Sequence, residues 1–318
     1  MSGRRGLAVV DLGSNSLRLF LVERLEPDGP AGRRTTVVIG LRRGAAPDGS
    51  IAPDALQRLA EALEDVGARI GEFRPRAVAA VGTSAVRDAP NRDRVIELVR
   101  RATGAPLRVL SGDEEALLAF TGARLARDAP GPCLMLDVGG GSTELVRGDA
   151  EGVEGTVSLQ LGSVRSTERW LVDDPPGPRA IAGLRGQARP LLDDAVRAIG
   201  GTAPALGVAG TITSLAAIEL GRYDPALVHG HVLSRAGIER QLETLGAMTA
   251  AERRVVPGLD PARAPVIVAG AAITAEALHA AEQETLTVSE RDILDGIALA
   301  ALRPGGVAGL AWSPEPLD

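Results

Sequence analysis

Asp11 and Asp137 each close a hydrophobic run and open the same pattern, Asp-x-Gly-x-x-Ser, before a second hydrophobic run begins. The first copy reads Val9-Val10-Asp11-Leu12-Gly13-Ser14-Asn15-Ser16, and the second Met135-Leu136-Asp137-Val138-Gly139-Gly140-Gly141-Ser142. A carboxylate at the mouth of such a turn suits a hard divalent cation, because Mg²⁺ favours a carboxylate together with phosphate oxygens and water. Small residues at the tip let backbone N–H groups approach phosphate oxygens. One such hairpin alone is as well explained as an ordinary turn. Two in matching context point to a phosphate–metal unit gripped from both sides.

A second constellation lies in Ser111-Gly112-Asp113-Glu114-Glu115. Ser111 and Glu114 have the spacing of a capping box, which commits Glu114 to the helix start. Glu115 lies about 100° further round the helix and is not needed for the cap. A carboxylate placed there beside a metal-bound phosphate is a candidate general base for water, although a first-turn glutamate also complements the helix dipole. Arg87, in Thr83-Ser84-Ala85-Val86-Arg87, leaves a strand end close to where the first hairpin opens and is a candidate phosphate fork. Asn91 after Pro90 reads as a helix cap. Val208-Ala209-Gly210-Thr211 is a strand-to-helix junction whose first turn could meet an anion. Arg165 and Arg263 are further candidates for phosphate contact. His229 and His231 flank Gly230 and have no third His or Cys nearby, so they read as loop residues.

The elements that must position these groups follow from periodicity. Strands are expected near 6–11, 16–24 and 35–40, with Leu17, Leu19 and Leu21 alternating. A helix over 53–70 starts at Pro53 and puts Leu56, Leu59, Leu63, Val66 and Ile70 on one face. A strand at 77–82, a helix near 91–103, a strand at 107–110 and a helix over 112–127 complete the first half. The second half repeats the order, with strands near 132–137, 143–147 and 153–159, helices at 163–171 and 180–199, a strand at 204–209 and a helix from 211. Helices at 235–246, 261–281 and 291–302 follow. Ala129-Pro130-Gly131-Pro132 reads as a linker and Asp173–Pro178 as an exposed loop. The result is α/β with mixed sheets.

The totals bound the partners. At 318 residues the chain holds two ordinary domains, and with 45% hydrophobic but 2% aromatic residues their cores must be aliphatic. A net charge of −6 argues against nucleic acid or an anionic membrane as a general partner. Cys133, the one cysteine, excludes an intrachain disulfide and a multi-cysteine metal site, and it reads as a core residue. There is no lysine, so phosphate must be held by arginine forks, backbone amides or metal. The apolar run after Arg4-Arg5 is too short for a signal peptide, and Ala264–Ala275 is too short to span a bilayer. A cytoplasmic location is expected.

Taken together these segments resemble the exopolyphosphatase/guanosine pentaphosphate phosphohydrolase (Ppx/GppA) family, from the superfamily of actin, sugar kinases and the large heat-shock chaperones. The resemblance runs from about residue 7 to 302. It is carried by Val10–Ser16, Gly82-Thr83 with Arg87, Leu110–Ala116, Leu136–Glu144, Leu161-Gly162-Ser163-Val164-Arg165 and Ala269–Ile273. It implies two actin-like (ribonuclease H-like) domains with an interdomain cleft: domain I at 1–128, on which helix 291–303 packs back, domain II at 132–303, and a loose tail at 304–318. By the resemblance Glu115 is the glutamate that activates water, and Asp137 and Glu144 are metal-side carboxylates faced by Asp11. Arg87 and the amides of Gly13, Ser14, Asn15, Ser16, Gly139, Gly140, Gly141 and Ser142 correspond to phosphate holders. It further implies Mg²⁺ or Mn²⁺ and a homodimer. The chain resembles the short members of the family. Pro265 departs from the family's acidic residue, and proline is tolerated in a first helical turn.

The expected activity is hydrolysis of the terminal phosphoanhydride of inorganic polyphosphate, with short chains favoured because no extended basic stripe is present. The alternatives are removal of the 5′-terminal phosphate of guanosine pentaphosphate, an ATP-dependent kinase on the same scaffold, and a non-catalytic sensor of polyphosphate or of guanosine tetra- and pentaphosphate.

Overall fold

The computed structural model describes residues 6–26, 29–126 and 131–302. Residues 129 and 130 of the expected linker and the expected tail at 304–318 lie outside the described residues. The chain divides into two compact units, one from the first 122 residues together with Ile293 onward, the other Ala123–Asp292.

In the first unit β1 (Leu7–Leu12), β2 (Ser16–Glu26), β3 (Gly29–Val38), β4 (Ala77–Gly82) and β5 (Leu107–Val109) form one sheet in the order β3-β2-β1-β4-β5. The first three strands pair antiparallel and the last two join in parallel, a mixed sheet. Helices α1 (Pro53–Phe73), α2 (Ser84–Arg87), α3 (Arg92–Thr103) and α4 (Gly112–Ala123) follow their strands. Alternation along β1 sorts the two cores: Ala8, Val10 and Leu12 join the aliphatic core under α1 and α3. Leu7 and Val9 join the opposite core, with Leu110, Leu118 and the helix Ile293–Leu302. Asp11 is odd-numbered too and falls on that second face. The sheet is therefore covered on both sides, which is why every residue of β1 is buried.

The second unit repeats the plan. Strands β6 (Cys133–Val138), β7 (Thr143–Gly148), β8 (Val153–Leu159), β9 (Ala205–Val208), β10 (Val232–Ser234) and β11 (Thr285–Val288) run in the order β10-β11-β9-β6-β7-β8. The series β8-β7-β6-β9 reproduces β3-β2-β1-β4, so the sequence repeat is also a topological one. This is the expected α/β fold with two mixed sheets. Its helices are α5 (Ser163–Trp170), α6 (Pro178–Ala198), α7 (Ala209–Leu220), α8 (Pro225–Val228), α9 (Arg235–Gly246), α10 (Ala250–Arg253) and α11 (Ile267–Ala280), and the closing helix of the first unit, Ile293–Leu302, is α12. Cys133 is a buried core residue.

Several expectations need correction. The helix foreseen over 261–281 is a 3₁₀ turn, Pro261–Arg263, followed by α11 from Ile267, so Pro265 precedes the helix rather than sitting in its first turn. The helix foreseen to 127 leaves α geometry after Ala123 and continues as a 3₁₀ turn to Ala126. Asn91 stands at the N-cap position of α3 but its side chain caps nothing. Instead its amide exchanges two hydrogen bonds with the Ile51 backbone, at 3.0 and 2.9 Å. Strands β10 and β11 were not foreseen. Among the described residues no helix is long and apolar enough to cross a membrane.

Candidate active site

The two glycine hairpins close the same way. The Gly13 N–H donates to the Ser16 carbonyl at 3.0 Å, and the Gly139 N–H to the Ser142 carbonyl at 3.0 Å. Those two amides are engaged within the turns, and beyond them Ser14, Asn15, Gly140 and Gly141 are exposed.

The copies differ in what faces the aspartate. In the first, register pairs Asp11 with Arg18 across the strands. Arg18 donates from Nε and Nη2 to Asp11 Oδ2 at 2.8 and 2.5 Å, and Asp11 is only 2% exposed. In the second, the same register pairs Asp137 with Glu144. Directly opposed residues on one face lie side by side, and like charges there repel. Glu144 Oε1 also accepts from Ser158 Oγ at 2.9 Å, which fixes the carboxylate. A cross-strand carboxylate pair is a donor set that fits a divalent cation completing its shell with water and phosphate oxygens. Among the described residues no group of three metal-ligating side chains is found.

Arg87 and Glu115 are brought together in the first unit. Strand β4 ends against the first hairpin, where the Thr83 N–H donates to the Leu12 carbonyl at 3.1 Å, and Ser84 Oγ lies 3.4 Å from Ser14 Oγ. From α2, Arg87 Nη1 donates to the Leu110 carbonyl at 2.7 Å and to Glu115 Oε2 at 3.1 Å. The Ser111 N–H donates to Glu114 Oε2 at 2.9 Å and the Glu114 N–H to Ser111 Oγ at 3.1 Å, so the capping box is formed. The Ser111 amide foremost, then Arg108 at 2.5 Å, outweigh partial burial and hold the Glu114 carboxyl below its ordinary range. Glu114 is thereby committed to the helix start, and Glu115 is left to face Arg87. With Arg87 and Glu115 side chains 30% and 33% exposed, their pair adds about 0–1 kcal/mol to stability and serves orientation instead.

The second hairpin is backed by α5. The Ser163 N–H donates to the Gly139 carbonyl, and the Val164 and Arg165 N–H groups to that of Gly140, at 2.9, 2.9 and 3.1 Å. A Cβ at Gly162 would land on the Gly140 carbonyl, so only glycine lets α5 start this close. Arg165 is exposed and donates from Nε to the Gly141 carbonyl at 2.8 Å and from Nη2 to Gln160 Oε1 at 3.1 Å. Arg263 lies with its guanidinium against Gly210, where a Cβ would displace it, at the start of α7. Thr211 Oγ1 ties that helix to the Val138 carbonyl at 2.8 Å. Ala209 enters the helix at φ 64°, a left-handed conformation costing roughly 1–3 kcal/mol for a non-glycine residue. Arg263 also lines a cavity of about 540 Å³ with Thr213, Ser214, Tyr223 and Asp260. His229 and His231 take no part in these contacts. The Nδ1 of His229 accepts from the Glu290 N–H at 3.2 Å, and His231 Nε2 lies 3.4 Å from Glu219.

Sequence reasoning missed Arg18 and Ser158. Arg18 was recoverable: it follows Asp11 at the interval by which Glu144 follows Asp137. Ser158 carries no local signal, because what makes it matter is the approach of another strand. Gly162 was marked by its motif, but its close approach to Gly140 was not.

The comparisons with known proteins agree with one another. The model of the Ppx/GppA phosphatase family matches residues 32–303. The chain is 35% identical over 321 residues to Exopolyphosphatase 2 of Mycobacterium tuberculosis, covering 92% of this chain and 98% of that one. It is 26% identical over 298 residues to a guanosine-5′-triphosphate,3′-diphosphate pyrophosphatase of Vibrio parahaemolyticus, covering 91% of this chain and 58% of that protein. The crystal structure of the Aquifex aeolicus member of the Ppx/GppA family superposes with a TM-score of 0.82 at 28% identity, covering 92% of this chain and 95% of that one.

Proposed function

This chain belongs to the Ppx/GppA phosphatase family, and from that membership we propose that it removes the terminal phosphate of inorganic polyphosphate, one orthophosphate at a time. Membership makes it a hydrolase of phosphoanhydride bonds that uses a divalent metal. The observation carrying the substrate-level reading is Glu115: a helix-start carboxylate freed from capping by Glu114 and aimed by Arg87.

Glu115 would accept a proton from water as the water oxygen bonds to the terminal phosphorus. The bridging P–O bond breaks, and the electron pair leaves with the shortened chain. Arg87 offsets charge on the transferring group, as do the exposed amides of Ser14, Asn15, Gly140 and Gly141, with Ser16, Ser142, Arg165 and Arg263 completing the proposed phosphate contacts. Asp137 and Glu144 would hold the metal, Mg²⁺ or Mn²⁺, which supplies positive charge to the phosphate oxygens when bound. Asp11, already held by Arg18, is assigned to orient that end of the first hairpin. A cytoplasmic homodimer is part of the proposal, supported by the family resemblance.

The second reading is guanosine pentaphosphate 5′-phosphohydrolase. The cavity beside Arg263, with an aromatic ring and hydroxyls, offers room for a nucleoside, and the Vibrio relative's name describes that activity.

Glu115→Gln tests the assignment. Phosphate release from polyphosphate should fall by about 10²- to 10⁴-fold, the usual worth of a general base, with polyphosphate binding retained. Near-normal turnover would remove Glu115 from the mechanism. Guanosine pentaphosphate assayed in parallel on the unaltered protein separates the two substrates.

A further inference from the structure

We propose that Arg42 and Arg43, with Arg92 at the start of α3 as a further contact, form a subsite on the first unit that grips the polyphosphate chain beyond the reacting phosphate and so sets chain-length preference. This rests on the reading of the site as a polyphosphate hydrolase. Three independent features of the unit support it.

The first is where the loop is pinned. The Ile39 and Gly40 N–H groups both donate to the Asn15 carbonyl at 2.9 Å, and the Arg42 N–H to the Ser14 carbonyl at 3.2 Å. Residues 39–42 thus lie along the tip of the first hairpin. The loop's entry is held by Arg58, which donates to the Ile39 and Gly40 carbonyls at 2.8 and 3.3 Å. Its exit is held by the Asn91–Ile51 exchange. Arg43 folds back over Gly40. Arg92 opens α3, and its Nη1 lies 3.4 Å from the Arg87 carbonyl. Two arginines are therefore fastened to the phosphate-binding tip, and a third to the residue that faces Glu115.

The second is charge balance. Most arginines here meet a carboxylate, as Arg58 meets Asp54, Arg69 meets Asp65, and Arg100 and Arg101 meet Glu97. Arg42, Arg43 and Arg92 are exposed and, among the described residues, none of them lies within ion-pair distance of one. In an acidic chain of net charge −6, two unmatched arginines on the loop pinned to that tip are a place for an anion.

The third is chemistry. Guanidinium forks match phosphate oxygens bidentately, and a linear polyanion presents the same group at every step. Arginines at the tip reach only the first few phosphates past the cleaved one. Affinity should therefore rise over the first few phosphates and then level off.

The test compares tripolyphosphate with medium and long chains on the full protein and on Arg42→Ala/Arg43→Ala. The double variant should raise KM for long chains about tenfold and that for tripolyphosphate much less, with kcat within about twofold. The slope of log KM against log salt should fall by about one to two, reflecting lost counterion release. Arg100→Ala/Arg101→Ala removes the same charge from Glu97-paired positions and should change neither. Unaltered KM and salt slope in the first variant would overturn the subsite, as would an equal loss at every chain length. The same substitutions in a Glu115→Gln background, read by long-chain polyphosphate binding, test the subsite without turnover. Weakened binding there supports the subsite even if Glu115 is misassigned, and unchanged binding refutes it.

Discussion

At the scale of single residues, the interval from Asp11 to Arg18 and from Asp137 to Glu144 decides what each hairpin can hold. A carboxylate opposed by an arginine meets a counter-charge within the hairpin, whereas one opposed by another carboxylate meets like charge there, which a bound cation would offset. Asp137→Asn removes one of the two like charges. On the proposed reading it should abolish most of the stabilisation that added Mg²⁺ gives the unaltered protein. Melting curves with and without Mg²⁺ in chelator-treated samples check this. A variant that keeps the full metal-induced shift would separate Asp137 from the metal. Much at this scale was readable beforehand: the capping box at Ser111 and Glu114 follows from spacing alone. What spacing could not supply was the Arg87–Glu115 contact, since those residues are joined only once β4, α2 and α4 have packed.

At the scale of elements, α12 fixes the helix that carries Glu115. A Cβ at Gly296 would land on the Leu118 carbonyl of α4, one turn beyond Glu115. Asp295, fully buried, meets Arg34 Nη2 at 2.5 Å, and Arg34 in turn covers the Phe20 ring at 4.1 Å. Both contacts hold α12 in register on the sheet. Gly296→Ala must push α4 aside, at about 1–3 kcal/mol of overpacking, and displacing Glu115 by about 1 Å can cost roughly 10²-fold in turnover. The expected result is a large drop in kcat with little change in KM. Ile297→Ala, a buried neighbour whose loss leaves only a cavity, should lower the melting temperature by a comparable amount yet keep kcat. If both variants lose activity in proportion to stability, α12 has no positioning role. The long hairpins and α1 were legible because one face of each is apolar. Strands β10 and β11, of three and four residues, were not, because their stability comes from neighbouring strands. The start of α11 was misjudged for a related reason. It is buried on nearly all sides, so no periodicity marks where it begins.

At the scale of the whole molecule, the second unit is tied through a buried carboxylate. Glu276 on α11 is fully buried and accepts from Arg185 Nε at 2.6 Å and Arg189 Nε at 2.8 Å, both on α6. Arg185 also reaches Glu239 on α9 at 2.7 Å. Burial alone would raise the Glu276 carboxyl, but Arg189 and Arg185 outweigh it and leave it below its ordinary value. A carboxylate depressed on folding adds stability above its unfolded value, near ~4.3, and loses it as pH falls through the folded value. Glu276→Gln should therefore cost about 2–3 kcal/mol at neutral pH, at the low end for a buried pair because both arginines keep contact with water. The gap to the unaltered protein should close in acid. Denaturant titrations at neutral and acid pH check the sign, and a gap that widens in acid would contradict it. The repeated topology was legible from the repeated motif; this tie was not, because Arg185, Glu239 and Glu276 come from three separate helices.

Twin turns of one backbone design face different partners. The first carries its own counter-charge in Arg18, written into the gene and present wherever the protein folds. The second sets Glu144 against Asp137, and on the proposed reading a divalent ion from the surrounding solution would bind that pair. The cell's pool of free divalent ions would then be a dial on the enzyme that the first turn does not feel.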